Sequence, residues 1–162
     1  MEKKFELTDK FVFNTFGIKL FQIKCTKSFK YAKEGDLGGY VEKDENLDQE
    51  SDAWVSGNAW VYGNAQVSGN AWVYGNARVS GNADIENDTN HCGFDCFGSC
   101  NRHTHAYLTK DNKVEITCGC FRGSIEEFEK KVEGTHSGTI YEKQYKAIIN
   151  VIKIKFGLTD LI

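Results

Sequence analysis

Two short segments hold most of the residues suited to chemistry. HCGFDCFGSCNRHTHAY (91–107) carries Cys92, Cys96 and Cys100 beside His91, His103 and His105, and CGCFRGS (118–124) adds Cys118, Cys120, Arg122 and Ser124. Thiolate and imidazole are the preferred ligands of tetrahedral zinc. Cys92, Cys96, Cys100 and His103 therefore form a candidate metal set, with His91, His105, Cys118 and Cys120 as alternative members. The spacings C-x3-C-x3-C and C-x-C lack the C-x2-C knuckles of a structural zinc site, and a four-residue spacing also suits small thiols packed in a core.

A second chemistry is anion binding. Gly98-Ser99 with Arg102 and Thr104, and Gly119 to Gly123 with Arg122, combine glycine turns whose amides approach an anion with guanidinium groups that grip phosphate or carboxylate bidentately. Ser124 opens a helix, and a helix N-terminus favours negative charge. Ser99, Arg102, Thr104, Arg122, Ser124 and His136 are thus the expected ligand-binding set, for a small phosphate-bearing molecule. The plainer alternative is that the glycines shape turns, the arginines are solvated and Ser124 only caps its helix. Nucleophilic catalysis by Cys118 or Cys120 with His136, His103 or His105 needs a base within reach, and no local signature joins them. The expectation is a chain that binds and does not catalyse.

The elements that must carry these residues begin with a repeat. From Ala53 to Asp88 the chain reads AWVSGN AWVYGN AQVSGN AWVYGN ARVSGN ADIEND. Val55, Val61, Val67, Val73, Val79 and Ile85 recur every six residues, with Ala59, Ala65, Ala71, Ala77 and Ala83 four residues after the first five. Neither the helical period nor simple alternation fits, whereas short strands with Gly-Asn corners do. This pattern resembles the left-handed parallel β-helix of hexapeptide-repeat proteins, in which three hexapeptides make one triangular coil and residues 18 apart stack. Stacking at 18 residues places Trp54 and Ser56 under Trp72 and Tyr74, Trp60 and Tyr62 under Arg78 and Ser80, and Gln66 and Ser68 with Asp84 and Glu86.

A short array needs covered ends. The stretch LGGYVEKDENLDQESD reads as an irregular first coil, with Val41 and Leu47 six apart and a two-residue phase shift into Ala53. FVFN and IKLFQIKC around Thr15-Phe16-Gly17 predict a hairpin that offers Phe11, Phe13, Leu20 and Ile23 to close the coil. After the repeat, a Gly-, Cys- and His-rich loop leads to a hairpin at Lys110-Asp111-Asn112. A capping box at Ser124 then opens a helix with Ile125, Phe128 and Val132 on one face, stopped by Gly134, and a second helix spans about Thr139 to Phe156. The expected fold is mainly β with a small α+β part. It comprises an N-terminal β cap (1–36), a left-handed β-helix of two to three coils (37–88) and a small β-β-α-α domain (89–162).

GDLGGYVEKDENL running into GNAWVYGNA repeats, together with CGCFRGSIEEFEKKVEGTHSG, resembles small phage and prophage proteins. The charged start MEKKFELTDK, with no secretory or membrane-length apolar run, predicts a cytoplasmic protein, in the host cytoplasm if phage-encoded, and the resemblance together with the anion-binding residues implies an oligomeric binding protein that inhibits host antiviral defence. It would do so by sequestering a nucleotide-like signal or blocking a host defence protein. Five large aromatics on the outer faces, Trp54, Trp60, Tyr62, Trp72 and Tyr74, predict self-association as a homotrimer or dimer. A structural assembly role and a hexapeptide-fold acyltransferase are the alternatives, the latter disfavoured because residues 37–90 contain no histidine.

Composition narrows the rest. A net charge of −3 on 162 residues, with six acids against Arg78 over residues 47–90, argues against general nucleic-acid binding. No apolar run approaches a membrane span. Six cysteines in a reducing compartment read as thiols or metal ligands before disulfides. No cofactor is expected, zinc being the one candidate.

Overall fold

The computed structural model describes residues 2–159, so the domain limits set at 1 and 162 fall outside it. Antiparallel pairing opens the chain. β1 (Phe5–Phe13) and β2 (Lys19–Cys25) form the expected hairpin. Its turn is held by Asn14, whose Oδ1 accepts from the Phe16 and Ile18 amides at 2.9 Å each. β3 (Leu37–Val41) pairs antiparallel with β2.

Six two-residue strands follow, one per hexapeptide: β4 (Trp54–Val55), β5 (Trp60–Val61), β6 (Gln66–Val67), β7 (Trp72–Val73), β8 (Arg78–Val79) and β9 (Asp84–Ile85). They pair in parallel at the 18-residue interval, with Trp54 opposite Trp72, Trp60 opposite Arg78 and Gln66 opposite Asp84. Each valine or isoleucine of the repeat, and each alanine, is at most 1% exposed. The corner glycines Gly57, Gly63, Gly69, Gly75 and Gly81 hold φ between 61° and 67°, the left-handed region that glycine enters without steric cost. The first turn is offset as expected: Val41 faces Val61 and Leu47 faces Val67, twenty residues on. Asn46 fills that irregular turn, donating from Nδ2 to the carbonyls of Gly63 (3.2 Å) and Ala65 (2.9 Å).

The hairpin is not a separate plug. β3 runs parallel to β5, so β1 and β2 extend one repeat ladder into a five-stranded sheet of order β1-β2-β3-β5-β8. Leu20 and Ile23 are buried as expected, but Phe11 and Phe13 are 43% and 60% exposed, and Phe5 enters the core in their place. Lys4 covers the open end with its side chain, donating from Nζ to the carbonyls of Ser51 (2.7 Å) and Ala53 (2.6 Å).

The C-terminal part is a four-stranded antiparallel sheet in chain order, β10 (His91–Phe97), β11 (Arg102–Leu108), β12 (Val114–Cys118) and β13 (Phe121–Ser124). Helices α1 (Ile125–His136) and α2 (Ile140–Lys155) follow. The expected β-β-α-α unit is therefore corrected to four strands and two helices. The residues read as a Gly- and Cys-rich loop pair as strands, because side chains alternate there: Cys92, Phe94 and Ala106 pack toward the helices, while Tyr107 enters the core of the repeat. α1 also runs through Gly134 to His136, since its buried stripe of Ile125, Phe128 and Val132 outweighs one weak helix former. The sheet sits on the last repeats. Ala83 bridges Thr109, the Lys110 amide donates to the Asn82 carbonyl at 2.9 Å, and Thr117 Oγ1 donates to the Arg78 carbonyl at 2.6 Å. Among the described residues no helix is long and apolar enough to cross a membrane.

Candidate functional site

The tip of the β12–β13 hairpin and one flank of α1 enclose a cleft of about 570 Å³. β11 contributes Arg102, the hairpin contributes Cys118, Cys120, Phe121 and Arg122, α1 contributes Phe128, Lys131, Val132, Thr135 and His136, and α2 contributes Tyr145. Three of the six sequence-predicted ligand residues thus converge: Arg102, Arg122 and His136.

Each is set in place by a specific neighbour. Arg102 lies across Gly119, where a Cβ would collide with its Nη1. The Nε of Arg122 stands 3.6 Å from Glu115 Oε1, and the same carboxylate oxygen accepts from the Tyr107 hydroxyl at 2.7 Å. The His136 ring stacks on Tyr145, centroids 5.5 Å apart and planes 29° from parallel. Burial, and then the neighbouring Cys118 thiol, push the Tyr145 phenol well above its usual range, so it stays protonated. Phe121 and Phe128 add a second aromatic wall, their centroids 5.2 Å apart.

The other three predicted residues stay outside. Thr104 is buried and donates to Cys118 Sγ at 3.3 Å. Ser124 Oγ accepts from the Glu127 amide at 3.1 Å while Glu127 Oε2 accepts from the Ser124 amide at 2.8 Å, a capping box that already satisfies this helix end. Ser99 is exposed on the β10–β11 connection, 3.8 Å from Cys100 Sγ. Lys131, Thr135 and Tyr145 were missed. The sequence signal was present, since Lys131 and Thr135 lie four apart beside Phe128 and Val132 and so share one flank of α1.

Cys92, Cys96, Cys100 and His103 do not assemble into a metal centre. Among the described residues no group of three or more His, Cys, Asp or Glu side chains is placed to hold an ion. Cys92 packs against the helix-side core, Cys96 and Cys100 are exposed, and His103 is bonded to Asp95 and His105. The alternative thiols fare no differently, because Cys118 bonds Thr104 and Tyr145.

The aromatic faces are also partly redrawn. Trp54 is only 2% exposed, its ring edge-on to Phe29 with centroids 5.3 Å apart. Trp72 stacks on Tyr31, so the loop between β2 and β3 covers this face from within the chain. Trp60 lies under the Arg78 guanidinium, 3.9 Å from ring centre to Cζ. Tyr62 is half-buried, which leaves Trp72 and Tyr74, 38% and 60% exposed, as the open part of the expected interface. Compared with models of known protein families and with curated proteins, the chain matches none.

Proposed function

We propose that this chain is a non-enzymatic binding protein that captures a small phosphate-bearing, nucleotide-like molecule in the cleft between the β12–β13 hairpin and α1. The observation that carries this reading is the charge of the lining. Arg102, Arg122 and Lys131 face a cleft whose lining, among the described residues, includes no carboxylate, with Glu115 beside Arg122 offsetting part of that charge, in a protein of net charge −3. Such a local excess of fixed cations, two of them guanidinium forks, suits phosphate oxygens. The Tyr145–His136 stack and the Phe121–Phe128 pair offer flat apolar surface to a base. Catalysis gains no support from the thiols, whose hydrogen bonds among the described residues go to Lys27, Ser99, Thr104 and Tyr145 and not to a histidine.

The finer architecture belongs to the same proposal. The 18-residue parallel register, the buried valine-alanine interior and the glycine corners support a left-handed triangular β-helix as the rigid base on which the cleft is mounted. Self-association as a homotrimer would use Trp72 and Tyr74. The biological setting, inhibition of host defence by a phage-type protein in the host cytoplasm, rests on the sequence resemblance. Titration calorimetry with nucleoside mono-, di- and triphosphates and with inorganic phosphate tests the binding reading. Saturable binding of a nucleotide that is weakened by about tenfold or more in Arg102→Ala or Arg122→Ala is the expected result, and no heat from any of these ligands would remove it.

A further inference from the structure

Away from this cleft, three histidines and two aspartates form an unbroken hydrogen-bonded chain. His91, Gly93 and Asp95 alternate on β10 opposite His103 and His105 on β11, with Gly93 paired to His105 in register. Asp88 Oδ1 lies 3.3 Å from His91 Nε2, and His91 Nδ1 lies 3.0 Å from His105 Nε2. His105 Nδ1 lies 3.0 Å from His103 Nε2, and His103 Nδ1 lies 2.6 Å from Asp95 Oδ1. The imidazoles are largely enclosed while both carboxylates reach solvent. Gly93 makes the approach possible, since a Cβ there would stand 2.6 Å from His103 Cε1 and 2.9 Å from His105 Nδ1.

Counting protons shows what the chain lacks. Each of the four contacts needs one hydrogen, ionised carboxylates supply none, and three neutral imidazoles supply one each. If His91 donates from Nε2 to Asp88, His105 from Nε2 to His91, and His103 from Nδ1 to Asp95, the His103–His105 contact is left as two facing lone pairs. We infer that the chain binds a single additional proton on His103, against Asp95, which closes this contact by donating from His103 Nε2 to His105 Nδ1. His105 and His91 then remain neutral, both as Nε2–H tautomers. A second proton finds no site, because the Nδ1 atoms of His91 and His105 already accept. Burial acts the same way, holding His105 well below the usual imidazole range and His91 below it; Lys155 on α2 adds to the effect at His91 and Asp88 opposes it. The other groups facing the chain are Cys92 and the Tyr74 phenol, which line the adjoining cavity of about 360 Å³. The bound proton completes a clasp, because Asp88 Oδ1 also accepts from the Trp72 amide at 2.9 Å and so joins the repeat to β10 and β11.

Nitrogen-15 NMR of the full-length, histidine-labelled protein between pH 8 and pH 5 tests this, with the His136 signals identified from His136→Gln. One chain histidine should pass to imidazolium while the other two keep neutral Nε2–H signatures. Asp95→Asn, at an exposed position, should move that uptake to lower pH and leave the His91 tautomer unchanged. Uptake of two or more protons by the folded chain, no uptake before unfolding, an Nδ1–H tautomer at His91 or His105, or no shift in Asp95→Asn would each overturn the inference. So would zinc binding at one equivalent that displaces the ring protons.

Discussion

At the scale of single residues, the cleft separates charge that binds from charge that supports. Arg102 is exposed and lies over Gly119, so Arg102→Ala should leave the urea midpoint within experimental error. The same change should weaken phosphate-ligand binding by about tenfold or more, the scale of one lost charge-assisted contact. Glu115 acts through Arg122, so Glu115→Gln should weaken binding less than Arg122→Ala does. The histidines give a pH dependence of defined sign. Folded His91 and His105 have lowered pKa values, and the unfolded chain protonates them near pH 6.5. Their contribution is therefore present above pH 6.5 and lost as pH falls, at about 1.4 kcal/mol per pH unit for each proton that only the unfolded state binds. Urea midpoints at pH 7.5, 6 and 5 should decline accordingly, and a flat profile would contradict the buried neutral assignment.

Residue chemistry was legible in the sequence where it depended on type and not where it depended on partners. Arg102, Arg122 and His136, which line one cleft, were identifiable as candidate anion ligands because guanidinium and imidazole suit phosphate wherever they lie. Thr104 and Ser124 have equally suitable hydroxyls, but a buried thiol that spacing does not reveal claims Thr104, and the capping box already marked in the sequence claims Ser124. The histidine chain was hidden for a related reason. His91-x-Gly93-x-Asp95 and His103-x-His105 alternate with a period of two, yet Gly93 and Asp95 are poor strand formers and Thr104 is the one β-branched residue among them.

At the scale of elements, the repeat wrote its own register. Stacking at 18 residues follows from the hexapeptide alone, and Trp54–Trp72, Trp60–Arg78 and Gln66–Asp84 pair accordingly. The ends were less legible, since the hairpin's attachment depends on a sheet edge supplied by β5 and not on its own apolar pattern. Corner glycines that look equivalent in sequence differ in space. A Cβ at Gly75, φ 65°, meets nothing within 4 Å, so Gly75→Ala should cost only the left-handed strain of about 1–2 kcal/mol. At Gly69, φ 61°, the same atom would collide with the Glu86 carbonyl oxygen. Gly69→Ala should therefore be clearly the more destabilising of the pair in urea denaturation, and equal losses would argue against the observed stacking. Lys4 offers a further check on the capped end. Burial lowers its pKa from 10.5 to about 8, so stability should fall as pH drops from 10.5 through 8 and the cost should be complete below that, offset in part by its hydrogen bonds to Ser51 and Ala53.

For the whole molecule, the C-terminal sheet has one face on the repeats and the other on the two helices, so that among the described residues one hydrophobic cluster lies on each side of it. The repeat fixes the sheet, the sheet fixes Arg102 and the hairpin tip, and α1 completes the cleft. Assembly is a separate matter from this internal architecture. With Trp54 covered by Phe29, the remaining aromatic surface is narrower than the sequence implied, and Trp72→Ser with Tyr74→Ser should convert a trimer to monomer in light scattering without loss of fold. A wild-type monomer would end the trimer reading while leaving the cleft untouched. The most direct test of the central claim is native mass spectrometry of freshly purified wild-type protein beside Arg102→Ala/Arg122→Ala, each sample remeasured after denaturation. A phosphate-bearing mass excess should appear on the wild type, disappear on denaturation and be missing from the double variant. An equal excess on both proteins, or none on the wild type even after incubation with nucleotides, would contradict it.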